Sequence, residues 1–156
     1  MQKVCVILHD IRSAENVGAI FRTSDAIGIS KIYLSGYTPA PIDRFGRKRK
    51  DIAKSALGSE ESVPWESIPS IGKQIDLLKK EKRNIVAIEQ DMRAIDYKKY
   101  TIQKPTVFVV GNEVDGLPKE ILQKCDSILE IPMRGRKESL NVSVAFGIAL
   151  FRLLDV

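Results

Sequence analysis

Val107-Phe108-Val109-Val110-Gly111-Asn112-Glu113-Val114-Asp115-Gly116-Leu117-Pro118 joins an apolar run, a glycine-bounded turn and the start of a helix. Four consecutive apolar residues, three of them β-branched, suit a strand buried on both faces. Pro118 supplies the fixed φ of a first helical turn. A strand that passes through a tight turn into a helix is the unit of a parallel α/β sheet, and it leaves a crevice at the strand's carboxyl end. The glycines match neither G-x-G-x-x-G nor G-x-x-x-x-G-K-[ST], so neither a dinucleotide fingerprint nor a P-loop is implied. Glu113 and Asp115 suit a cationic or hydroxyl-bearing ligand, or an arginine partner, better than a phosphate.

Outward from this stretch, hydrophobic periodicity predicts strands over Lys3–Leu8, Lys31–Leu34, Asn84–Ile88, Thr106–Val110 and Ser127–Ile131. It predicts helices over Asn16–Ile27, Asp51–Leu57, Ile68–Lys82, Pro118–Lys124 and Asn141–Leu154, with Gly28 and Gly58 as stops. The alternation specifies an α/β fold with a mostly parallel sheet flanked by helices. At 156 residues, 44% hydrophobic and 29% charged, residues 1–156 are expected to form a single domain with no separate extension. The last helix carries Val142, Val144, Ala145, Phe146, Ile148, Ala149, Leu150, Phe151, Leu153 and Leu154, which leaves almost no polar face. Such a helix must be covered on several sides, and a homodimer formed through it supplies the extra cover.

The formal charge of +5 has a location. Arg44-Phe45-Gly46-Arg47-Lys48-Arg49-Lys50 holds five basic residues and no acidic one, so the other 20 basic and 20 acidic residues balance. A compact cluster of that kind suits a polyanion, and Phe45 adds a ring to it; Arg44, Arg47, Lys48, Arg49 and Lys50 are the candidate nucleic-acid contacts. A solvated loop is the plain alternative. Cys5 and Cys125 lack C-x-x-C spacing, and His9 is the single histidine, so no metal site and a reducing cytoplasm are expected. No apolar run is long enough to span a bilayer, and no secretory leader pattern opens the chain.

Two further segments carry polar residues at helix starts. In Asn16-Val17-Gly18-Ala19-Ile20-Phe21-Arg22-Thr23, Arg22 offers a fork of donors from a rigid helix; it reads as a phosphate clamp or as an ordinary partner of Asp25. In Ile131-Pro132-Met133-Arg134-Gly135-Arg136-Lys137-Glu138-Ser139-Leu140-Asn141-Val142-Ser143-Val144-Ala145, a strand ends at a proline and a basic loop brings Ser139 and Asn141 to a helix start. Backbone N–H groups are unpaired there, which suits either capping or ligand binding.

In their order and spacing, N-x-G-A-x-x-R-T from Asn16, G-x-E-x-x-G-L from Gly111, and I-P-M-x-G through S-L-N-V-S-x-A from Ile131 to Ala145 resemble the SpoU (TrmH-type) RNA ribose 2′-O-methyltransferases of the SPOUT superfamily. Ala56-Leu57-Gly58-Ser59-Glu60-Glu61 and Val63-Pro64-Trp65 also look like this family. The resemblance implies a C-terminal deep trefoil knot that binds S-adenosylmethionine through Ile88, Gly111, Ile131, Met133 and Leu140. It implies methyl transfer to a ribose 2′-hydroxyl of tRNA or rRNA by a dimer whose partner subunit helps form the site. Arg22, Glu113, Ser139, Asn141 and Asn16 are the implied catalytic set, with Ser139 and Asn141 orienting the ribose or the cofactor and Asn16 fixing the helix start. The resemblance casts Arg22 as activating the hydroxyl, but a literal general-base role is physically difficult for a guanidinium and a phosphate clamp is preferred. Glu113 positions Arg22 or Asn141, or serves the turn alone. Arg134 and Arg136 would face RNA. A catalytically silent RNA-binding scaffold of the same fold is the alternative, and a small-molecule nucleotide enzyme would leave the basic loop idle.

Overall fold

The computed structural model describes residues 3–156; Met1 and Gln2 of the expected domain lie outside the described residues. Strand β1 (Cys5–His9) leads into helix α1 (Ala14–Ile27), strand β2 (Lys31–Ser35), short helices α2 (Lys50–Ala56) and α3 (Ser59–Ser62), and strand β3 (Trp65–Ile68). Helix α4 (Ile71–Lys80) carries the chain to β4 (Asn84–Ile88), the two-residue β5 (Ile95–Asp96), a 3-10 turn (Tyr97–Lys99) and β6 (Thr106–Val110). Helix α5 (Lys119–Lys124), strand β7 (Ser127–Glu130) and helix α6 (Val142–Leu154) follow.

The strands form one sheet in the order β3-β2-β1-β6-β4-β7-β5, with every neighbouring pair parallel. Successive side chains of β1 point to opposite faces. Val6 and Leu8 pack with Val17, Ile20 and Phe21 of α1 and Phe146, Ala149 and Leu150 of α6. Cys5 and Ile7 pack with Ile71, Ile75 and Leu78 of α4 and Ile121 and Leu122 of α5. Both faces are therefore covered, which is why β1 and β6 read as unbroken apolar runs. Helix α1 meets α2 at Gly18, where an added Cβ would collide with Ser55 Oγ and lie 2.5 Å from the Ile52 carbonyl oxygen. Only glycine permits that approach.

The parallel α/β architecture is as the sequence predicts, but seven strands replace five. Strand β3 was not expected: it is a four-residue edge strand in which Trp65, Glu66 and Ser67 are partly or fully exposed, so it lacks an apolar signature. Ile68, expected to begin a helix, ends this strand instead. Pro69 disfavours a helical residue before it, and Ser70 caps α4 by accepting from the Lys73 amide. Strand β5 is too short to show any period. Helix α1 begins before Asn16, at Ala14, because Ser13 is its N-cap; Gly28 ends it with a left-handed φ of 75°.

The strand order places the site. The chain grows outward from β1 through β2 to β3, and α4 then returns it to the other half of the sheet. β6 fills the place between β1 and β4. Crevices in open parallel sheets lie beyond the carboxyl ends of strands where the order reverses. Neither thiol is poised for chemistry: burial raises the Cys5 pKa against the lowering influence of Arg83, and burial pushes Cys125 up to about 11.

Phe146 is fully buried where α6 meets the first core. Phe146→Ala should lower unfolding stability by about 3–5 kcal/mol, read as a fall in urea midpoint at unchanged slope.

Candidate active site

The carboxyl ends of β4, β6 and β7 and the start of α6 enclose a cavity of about 250 Å³. All five expected cofactor contacts, Ile88, Gly111, Ile131, Met133 and Leu140, line it, as do Glu113 and Ser139. The apolar part of the wall comes from Ile88, Leu129, Ile131, Leu140 and Val142; the polar part comes from Glu89, Gln90, Glu130 and Glu138. Gly111 lies so close to the returning turn that a Cβ on it would stand 2.7 Å from the Gly116 carbonyl carbon. The turn is tight because Asn112 Oδ1 accepts from the Val114 and Asp115 amides, both at 2.8 Å. Asn112 Nδ2 also donates to the Asp10 carbonyl (2.9 Å) and the Tyr37 hydroxyl (2.8 Å). The G-N-E turn is thus fastened to the loops after β1 and β2.

Beside the cavity, one chain of hydrogen bonds joins three distant segments. The Glu113 carboxylate accepts from the Arg12 amide (3.0 Å), the Ser13 amide (3.1 Å) and Asn16 Nδ2 (3.1 Å). Asn141 Nδ2 donates to Asn16 Oδ1 (3.0 Å), while Asn141 Oδ1 caps α6 by accepting from the Ser143 (2.9 Å) and Val144 (3.4 Å) amides. Asn16 is buried and both ends of its amide are engaged. Glu113 thus holds the α1 start and, through Asn16, reaches Asn141. It does not touch Arg22. Asn141 is both the cap of α6 and a member of the network.

Arg22 stands apart. It is exposed on α1 and borders a separate shallow depression with Asp25, Leu57, Gly58, Ser59 and Ser62. Its suggested pairing with Asp25 is absent among the described residues; Asp25 instead accepts from Ser62 Oγ at 2.7 Å. The basic loop also differs from its sequence picture. Arg47 pairs with Asp43, Arg49 with Asp51 and Lys48 with Glu61, Asp43 and Arg49 half-buried and the others exposed. Acidic residues flanking the cluster, and one on α3, therefore answer three of its five charges; Arg44 and Lys50 form no ion pair among the described residues. Arg134 and Arg136 are exposed on the loop before α6.

Sequence reasoning missed Glu89, Gln90 and Asn112. Glu89 accepts from the Gln90 amide (2.8 Å) and the Leu117 amide (3.1 Å), and Gln90 Nε2 donates to the Glu138 carbonyl. Their place just beyond a parallel strand was the available signal. His9 is engaged by Ser35 Oγ at 2.8 Å and Asp10 at 3.3 Å, and no cluster of three or more His, Cys, Asp or Glu side chains able to hold a metal occurs among the described residues.

Burial opposes charge on Glu113, but the amides of Arg12 and Ser13 and the Asn16 side chain outweigh it and lower its pKa. A carboxyl whose folded pKa is depressed stabilises the fold above its ordinary pKa, and loses that contribution as pH falls through the folded value. Glu113→Gln should therefore cost about 1–3 kcal/mol at neutral pH. Thermal melts of the two proteins should converge as pH is lowered below the ordinary carboxylate range.

The chain matches the model of the SpoU rRNA Methylase family over residues 3–151. It is 34% identical over 151 residues to a tRNA (guanosine(18)-2′-O)-methyltransferase of Aquifex aeolicus, covering 96% of this chain and 68% of that one. It is 32% identical over 152 residues to the 23S rRNA (guanosine-2′-O-)-methyltransferase RlmB of Ralstonia nicotianae, covering 94% and 56%. The crystal structure of the A. aeolicus TrmH/SpoU tRNA modifying enzyme superposes with a TM-score of 0.86 at 29% identity, over 99% of this chain and 75% of that one. An AdoMet-bound rRNA methyltransferase from Sinorhizobium meliloti gives 0.84 at 30% identity, over 98% and 56%. The chain spans little more than half the length of most curated relatives it matches. With the family pattern covering nearly its whole length and the fold shared, the chain belongs to the SpoU rRNA Methylase family.

Proposed function

We propose that residues 1–156 act as one catalytic unit, an S-adenosylmethionine-dependent methyltransferase that modifies a ribose 2′-hydroxyl of tRNA or rRNA in the cytoplasm. The observation that carries this reading is the Glu113–Asn16–Asn141 network beside a cavity lined by all five expected cofactor contacts. An RNA substrate and this cofactor fit the relatives named above, and the network's completeness speaks against a silent scaffold. No helix among the described residues is long and apolar enough to cross a membrane.

The cavity wall suits the cofactor. Ile88, Leu129, Ile131 and Leu140 offer apolar surface to an adenine, and Glu89, Gln90 and Ser139 offer partners to hydroxyl and ammonium groups. When bound, S-adenosylmethionine supplies a methyl group made electrophilic by its sulfonium. Ser139 and Asn141 orient the ribose or the methionine end. Arg22 clamps the neighbouring phosphate and stabilises negative charge developing on the 2′-oxygen. A guanidinium offers several donors in a fixed fork and no acceptor, which suits a clamp better than a general base. Glu113 already accepts three N–H bonds and acts by positioning. Arg44, Arg47, Lys48, Arg49, Lys50, Arg134 and Arg136 are the proposed RNA contacts.

The knot belongs to the same reading. Helix α6 follows β7, on one side of β6, yet packs on α1, on the other; between them the 131–141 segment is held to the β4 loop through Gln90 and Glu138. That path is compatible with threading. A homodimer through α6 is supported by Val144, Ile148 and Phe151, a stripe at helical spacing that is 49%, 40% and 40% exposed in the single chain. Arg22 lies off its own chain's cavity, and the proposed dimer presents it to the partner's.

Two measurements test this. Ile148→Glu should convert the dimer to monomer in analytical ultracentrifugation. Arg22→Ala and Asn141→Ala should each abolish transfer of labelled methyl to RNA, while Arg22→Ala keeps cofactor binding. Equal mixtures of the two variants, refolded together, should recover about a quarter of wild-type activity, because half the dimers are mixed and each has one complete site. No recovery would place Arg22 in its own chain's site.

A further inference from the structure

The segment 41–49 is an ordered turn. Ile42 and Lys48 form an antiparallel bridge, the Asp43 amide donates to the Arg47 carbonyl at 2.9 Å, and the Gly46 amide donates to the Asp43 carbonyl at 3.0 Å. The Asp43 carboxylate accepts from the Phe45 amide (2.8 Å), the Arg47 amide (3.0 Å) and Arg47 Nε (3.1 Å). Gly46 takes the left-handed φ of 78° that closes the turn. At its tip Phe45 is 65% exposed. The guanidiniums of Arg44 and Arg47 lie 4.8 and 4.9 Å from its ring centre.

A lone exposed phenylalanine is unremarkable on a protein surface. This one differs in being held out on a turn that the Asp43 carboxylate fixes, with two guanidiniums over its ring. The two cations are not equivalent. Arg47 is anchored by Asp43, while Arg44 forms no ion pair among the described residues. A planar ligand arriving on the ring would displace Arg44 without breaking the turn, and the released guanidinium would stay within reach of an anion attached to that ligand. A flat apolar group with a phosphate beside it is a nucleotide.

We propose that Phe45 is a stacking platform for an unpaired base of the RNA, with Arg44 moving to the adjoining phosphate, so that the protein takes its substrate at a single-stranded loop. Bases within an A-form duplex are covered by their neighbours and have no face to offer. The turn is also placed beside the proposed chemistry: Lys48 pairs with Glu61 of α3, and α3 borders the depression that holds Arg22. The proposal rests on the RNA methyltransferase reading above and specifies which form of RNA it takes.

The test uses the whole chain with a fluorescein-labelled unstructured RNA and the same RNA annealed to its complement. Phe45→Ala and Phe45→Leu should weaken single-strand binding about ten- to a hundredfold, with no change in the salt slope and little change on the duplex. Phe45→Trp should keep the affinity, and the added fluorescence, over that of Trp65, should be quenched by the single strand. Unchanged melting temperatures would separate lost binding from lost folding. Wild-type binding that Phe45→Ala leaves intact, or unquenched fluorescence in the Trp variant, overturns the stacking platform alone. Failure of the wild type to bind either RNA overturns the RNA reading with it.

Discussion

Strand β6 has no side that faces water, and the site depends on that burial. All five of its residues are buried between β1 and β4, with side chains shared between the two cores. A strand paired on both edges and packed on both faces cannot shift register without moving apolar groups to the wrong layer. Its carboxyl end is therefore a fixed point. The turn after it inherits that rigidity, and Glu113 carries it to the start of α1 through three hydrogen bonds.

From this anchor the polar network follows by accounting. Helix α1 begins with unpaired amides, and the Arg12 and Ser13 amides just before it point at Glu113. Asn16, buried just inside the helix, must satisfy both ends of its amide and does so with Glu113 and Asn141. Asn141 in turn caps the last helix. The Asn16 motif is thereby locked to Glu113, 97 residues away, and to Asn141, 125 residues away, in one geometry. Preorganisation of this kind is what a reaction limited by alignment requires.

The electrostatics are more local than the charge total suggests. Exposed pairs such as Arg47–Asp43 contribute little stability each, typically up to about 1 kcal/mol. Their effect here is geometric: Asp43 orders the turn that displays Phe45, and Glu61 ties that turn to α3. A seven-residue run that looks uniformly cationic in sequence thus becomes, once flanking acids fold back on it, a shaped surface with one ring and two cations that form no ion pair among the described residues.

The alternation of apolar runs with helical periods was enough, without coordinates, to specify a parallel α/β sheet, because strands buried on both faces and one-sided helices leave different repeats. The Gly111 and Ile131 motifs likewise marked the cavity wall, since the carboxyl ends of parallel strands are where such turns fall, whereas the Asn16 motif lies beside the cavity and not in its wall. Strand β3 was illegible because an edge strand carries polar residues, and β5 because two residues have no period. Only tertiary structure paired Glu113 with the α1 start, joined Asn16 to Asn141 and set Arg22 away from the cavity. Side chains a hundred positions apart meet according to the strand order, and no local pattern encodes that order.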